Sequence, residues 1–277
     1  MFIVHNYTTA VLFCVITMVC WGSWGNTQKM AGQRWRFELF YWDYVIGILI
    51  FSLLSALTLG SIGSQGRPFL ADLQQTDAGN IGSALLGGVI FNAANSLFSA
   101  AIAIAGLAVA FPVGIGLALV AGFLMSFFYR FIAASMDLDH FVSPARGKMT
   151  PYTAVFIFSC GIFLSNFLFN TILMKRPFEG PPTGYAAYFK GRLPIHLIGL
   201  LGGLIWGLGN SFNLIAAGKA GPAISYGLGQ GATLVAALWG VFIWKEFRGA
   251  PKSVPPLLAG MFLLFVLGIG LIIYAGV

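Results

Sequence analysis

Apolar residues fall in eight long runs with polar breaks between them: 7–28, 42–62, 81–104, 107–134, 152–173, 195–217, 220–244 and 255–277. About 20 apolar residues in a helix cross roughly 30 Å of hydrocarbon. The runs are continuous and do not alternate, which argues against a membrane β-barrel. The pattern predicts an all-α polytopic membrane protein of about eight transmembrane helices. The longest breaks, 63–80, 135–151 and 175–194, leave no room for a separate soluble domain.

Composition sharpens this picture. The chain of 277 residues is 58% hydrophobic and 8% charged, against about 25% charged in soluble domains. Of its 15 Lys and Arg, ten follow odd-numbered runs and five follow even-numbered ones. The basic excess predicts cytoplasmic odd loops and both termini outside, in an integral protein of the cell (plasma) membrane. The net charge of +7 therefore reads as topology and does not point to nucleic acid. The first run has no Lys or Arg before it and continues into large aromatics, so it is expected to stay as a helix and not to be cleaved.

Two segments match without a gap. GGVIFNAANSLF, from Gly87, aligns with GGLIWGLGNSFN, from Gly202, and the offset then holds through Gly114 with Gly229 and Gly116 with Gly231. Repeated halves that form a site only together are the build of many secondary transporters. The division expected is 1–120 for a first half and 121–277 for a second.

Polar residues inside these runs are the candidate chemistry, because an unbonded amide in hydrocarbon is costly. CWGSWGNTQK closes the first run. On a helix Ser23, Asn26 and Thr27 share a face, with Trp21 and Trp24 beside it. They read either as an interfacial belt or as a cavity wall with an indole for stacking a flat solute. Asn95 and its repeat partner Asn210 read either as helix-to-helix glue or as paired amides at a central site. In GKAGPAISYGLGQGATL, Pro222 and its flanking glycines can open the start of the seventh run. Tyr226 and Gln230, four apart, point the same way, and Phe111, Pro112, Gly114 and Gly116 fall in the matching place. The acidic candidates for proton coupling are Glu38 and Asp43, with ordinary loop charge as the alternative. Glu246 is expected to pair with Lys245.

Other chemistries find little support. Cys14, Cys20 and Cys160 are scattered through apolar runs and suit neither a disulfide framework nor zinc. His5, His140 and His196 look isolated and make no metal spacing. No GxxxxGKS/T loop is present for an ATP-driven pump. No enzyme activity, cofactor or metal is expected.

CWGSWGNTQK with RWRFELFYWDYVIGI, and TPYTAVFIF, NTILMKRP and GKAGPAISYGLGQGATLVAALWGVFIWKEF, resemble the ureide permeases of the drug/metabolite transporter superfamily, near the glucose/ribose and rhamnose transporters. The resemblance covers most of the chain. It implies a proton-coupled carrier of allantoin, related ureides or uracil-like heterocycles, built as five plus five helices of inverted orientation. The chain departs from that pattern. AFPVGIGLAL resembles the family's fourth helix and GFLMSFFYRFIAASM its sixth, meeting near 120–122, so the fifth is lacking. Fusing helices four and six, which cross in the same direction, leaves every later helix correctly oriented.

The sequence thus points to a symporter working by alternating access. Its expected partners are a small-molecule solute, protons and the lipid bilayer, with no nucleic acid and homo-oligomers open. Trp21, Ser23, Trp24, Asn26, Asn95, Asn210, Tyr226 and Gln230 are expected to bind the solute. A sugar symporter, a passive channel and a non-transporting scaffold are the alternatives.

Overall fold

The chain is described by a computed structural model covering residues 1–105, 116–178 and 180–276. Its elements are α1 (Tyr7–Ser23), α2 (Gly25–Ala31), α3 (Phe37–Leu57), α4 (Phe69–Gln75), α5 (Ala78–Ala105), α6 (Gly116–Ala134), α7 (Pro151–Lys175), α8 (Tyr185–Phe189), α9 (Leu193–Ala220), α10 (Pro222–Gly229), α11 (Ala232–Leu238) and α12 (Val254–Tyr274). Among the described residues no strand forms, and seven helical stretches are long and apolar enough to cross a membrane. With α6, which is shorter, they make an all-α polytopic membrane protein. The expected fourth run is described from Gly116 onward, and the helix runs unbroken through 120–122. Phe111, Pro112 and Gly114 lie outside the described residues.

Several boundaries differ from the sequence pattern. The second span starts at Phe37 and not at Trp42. Arg36 and Glu38 satisfy each other there, with Nη2 to Oε1 at 2.7 Å, so a charge enters the first turn without breaking it. The seventh span was expected to open at Pro222, and it is also interrupted within its length. α10 stops at Gly229, α11 starts at Ala232, and a π-helical turn follows over Trp239–Ile243. At Pro222 itself the chain reverses. Gly221, at φ +78°, ends α9, and proline occupies the first turn of α10, where its missing N–H costs nothing.

The packing is interlocked. α9 is the main neighbour of α1 and α3, while α5 is the main neighbour of α6 and α7. Two glycine crossings hold these contacts. A Cβ on Gly203 of α9 would come within 2.8 Å of the Gly47 Cα on α3. One on Gly88 of α5 would come within 3.1 Å of the Gly161 Cα on α7. Gly88 and Gly203 are repeat partners, and small residues are what lets membrane helices touch backbone to backbone.

The two ends of the bundle differ. At one end the Met1 ammonium donates to Gln65 O (2.5 Å) and the Tyr7 hydroxyl to Ile273 O (2.9 Å), so both termini lie together. Fully buried Asp72 ties this end, paired with Arg67 (3.0 Å) and accepting from the Thr150 N–H (2.8 Å) and hydroxyl (3.0 Å). The opposite, basic end carries the ion pair Lys29–Glu246. This corrects the expected Lys245–Glu246 pair. Lys245 turns the chain at φ +54°, and Lys29 lies 4.8 Å from the centre of the Trp244 ring, within reach of Glu246.

Candidate functional site

A cavity of about 640 Å³ opens between α1, α5, α6, α9 and the α10–α11 break. Its walls are aromatic. The Trp21 indole stacks on Trp206 with centroids 6.1 Å apart, Trp206 meets Phe91 at 4.4 Å, and Phe128 and Tyr226 continue the surface. Polar groups enter at Asn95, Ser126, Gln230 and Thr233, and among the described residues the lining holds no charged side chain.

Asn95 is fixed from behind. Its Nδ2 donates to the hydroxyls of Tyr41 and Tyr44, both at 3.3 Å, and Tyr41 donates on to Asn92 Oδ1 at 3.0 Å. Asn92 Nδ2 in turn donates to Ser165 Oγ on α7 at 3.0 Å. Buried phenols and amides linked in this way hold one rotamer each. Trp24 packs on Tyr44 at 4.7 Å, so the same scaffold positions the indole. The Tyr226 hydroxyl donates to Met125 O at 3.3 Å, tying α10 to α6.

Five of the eight residues expected to bind a solute thus line one cavity: Trp21, Trp24, Asn95, Tyr226 and Gln230. The other three lie elsewhere. Ser23 Oγ accepts from Trp239 Nε1 (3.0 Å) and Asn26 Oδ1 from Trp244 Nε1 (2.6 Å), so this face of the first span clamps the end of the seventh. The backbone stays helical through Trp24, at φ −57° and ψ −35°, so the cavity-lining indoles and the clamping Ser23 and Asn26 sit on different sides of one continuous span. Asn210 is buried on α9, and its amide atoms have no hydrogen-bond partner among the described residues.

The acidic pair is also placed. Glu38 is buried and held in a two-point fork by Arg36, whose guanidinium reaches on to Pro181 O. Asp43 is 2% exposed, and its Oδ1 meets Tyr188 Oη at 2.6 Å and His196 Nδ1 at 2.8 Å. Trp35 Nε1 donates to its Oδ2 at 3.2 Å. His196 is therefore not isolated. The sequence hid the cluster because its members come from four separate segments with no shared period.

The sequence profile of the ureide permease family matches residues 109–275. Ureide permease 5 of Arabidopsis thaliana is 30% identical over 165 residues, 58% of this chain and 39% of that protein. Ureide permease 1 of the same plant is 27% identical over 165 residues, 58% of this chain and 41% of that protein. The chain thus spans well under two thirds of the length of these relatives. A putative sugar uptake protein of Streptococcus agalactiae is 22% identical over 268 residues, 86% of this chain and 89% of that protein. No solved structure matches.

Proposed function

Because this chain belongs to the ureide permease family, we propose that it carries a small neutral ureide or oxo-heterocycle, of the allantoin or uracil kind, across the cell membrane by proton-coupled alternating access. The cavity is the observation that carries this reading. Its volume, about 640 Å³, falls in the usual range for small-molecule sites. Flat indole and phenyl walls suit a planar solute; the Gln230 amide offers both N–H and C=O, and Asn95, whose N–H groups go to Tyr41 and Tyr44, offers its carbonyl to a ureide N–H. An uncharged lining suits a neutral solute, since a buried charge needs a partner. Trp21, Trp24, Asn95, Tyr226 and Gln230 contact the solute, and Ser23, Asn26 and Asn210 support the walls.

The ungapped match of GGVIFNAANSLF with GGLIWGLGNSFN supports two related halves, 1–120 and 121–277, that share the cavity. The basic end is then the cytoplasmic one and both termini face outward. A sugar carrier is the second reading. The similarity to a putative sugar uptake protein over most of both chains favours it, and indoles also stack on pyranose rings.

The test is uptake of labelled allantoin by cells that display the chain, with and without an inward proton gradient. We expect accumulation that collapses with the gradient and survives excess glucose or rhamnose. Block by the sugars replaces the solute. Absence of flux for both solute classes, with display confirmed, favours the scaffold.

A further inference from the structure

The two acidic residues near the start of α3 differ in what neutralises them. Glu38 is forked by Arg36, a guanidinium that keeps its charge at any physiological pH. Asp43 has no such partner. Its carboxylate accepts from a phenol and an indole and faces an imidazole, and among the described residues His196 is the only basic side chain at ion-pair distance.

We propose that Asp43 and His196 together form the proton-binding site of this carrier, loaded while the basic end is closed and emptied when it opens. This rests on the transport reading above. A buried carboxylate without a counter-charge is strongly disfavoured. One proton on the imidazole turns the cluster into a neutral ion pair. The loaded pair therefore favours the closed end. Opening hydrates Asp43, removes the need for the proton, and lets it leave the imidazole for the cytoplasmic solution. The linkage sign follows: closure is favoured at low pH and weakens as pH rises.

The closing element is the segment 180–192. Tyr188 on α8 bonds Asp43, and Tyr185 meets Thr171 Oγ1 at 2.5 Å. Pro181 O accepts from Arg36. Gly191 lies so close to the His196 ring and Trp35 that a Cβ would collide with both. Titratable or charged groups come from each packed element. α3 supplies Asp43 and Glu38, α9 supplies His196, and the turn before α3 supplies Arg36. The segment itself supplies Tyr188, with Lys190 and Arg192 on its exposed surface. Burial and then the Asp43 carboxylate push the Tyr188 phenol well above its ordinary range, so it remains a donor throughout.

Two measurements on the purified full chain decide this. In proteoliposomes, labelled allantoin exchange at equal pH is compared with accumulation under a one-unit gradient, which for one proton drives up to about tenfold accumulation. Asp43→Asn and His196→Gln should keep exchange and lose that accumulation, while Glu38→Gln should keep both. Pair variants that accumulate normally, or loss confined to Glu38→Gln, overturn the proposal.

The second measurement needs no solute. Trp35 stands edge-on to His196 with ring centroids 5.0 Å apart, and a protonated imidazole beside an indole quenches its emission. Tryptophan emission should fall on acidification from about pH 8 to 5. That component should vanish in His196→Gln and in Trp35→Phe. An unchanged titration in His196→Gln overturns the proton site. If the wild type moves no allantoin, the solute reading fails and the emission titration alone decides the pair.

Discussion

Gln230 sits where α10 has ended and α11 has not begun. Its N–H still bonds back to Tyr226 O at 3.1 Å, but its side chain is exposed to the cavity. Its side chain reaches the Tyr226 phenol and presents the rest of its amide to the cavity. Replacement by alanine should cost the folded state no more than about 1 kcal/mol, the net worth of one hydrogen bond. Loss of one solute hydrogen bond, worth roughly 1 kcal/mol, should raise the half-saturating allantoin concentration several-fold, read from concentration-dependent uptake. Unchanged uptake would remove Gln230 from the site. This residue was legible because a glutamine among glycines in an apolar run has no packing reason to be there. Trp21, Trp24, Asn95 and Tyr226 were legible on similar grounds. His196 was not, since its only signal is proximity to Asp43, 153 positions away.

At the scale of elements, the glycine crossings carry the bundle. Gly203→Leu would drive a side chain into the backbone at Tyr44 and Gly47, and backbone cannot move aside as a flexible side chain does. The expected cost is about 3 kcal/mol, at the upper end for overpacking, read as a large fall in the thermal aggregation temperature of detergent-purified protein. Gly260→Leu on α12 is the control, because a Cβ there meets nothing within 4 Å. Equal effects from the two substitutions would sink the argument. The repeat announced these glycines, since Gly88 and Gly203 align. Helix existence was legible throughout from run length. The break near Gly231 was less so, because glycines that permit close packing and glycines that permit a break look alike in sequence. The start of α3 was missed because its charges are hidden by a segment more than a hundred residues later.

For the whole molecule, the Lys29–Glu246 pair links the end of the first span to the stretch after the seventh at the basic end. Lys29→Cys with Glu246→Cys, joined by a short thiol-reactive crosslinker with a reducible arm, should lose allantoin uptake, and reductant should restore it. The double variant without crosslinker should transport. Full uptake in the cross-linked protein would mean that this end does not open during the cycle. Background is low, because Cys14 and Cys20 are buried and Cys160 lies within α7.

The interlocked packing also has a consequence for biosynthesis. The main neighbour of α1 and α3 is α9, which is complete only at Ala220. At about 5–20 residues per second, the ribosome delivers it roughly ten to forty seconds after Ala31 has emerged. During that interval Thr17, whose hydroxyl finally bonds Gly209 O at 2.9 Å, and the bare Gly47 surface face lipid or an insertion chaperone. The early helices of this protein must therefore wait in the membrane, half-assembled, for a partner not yet translated.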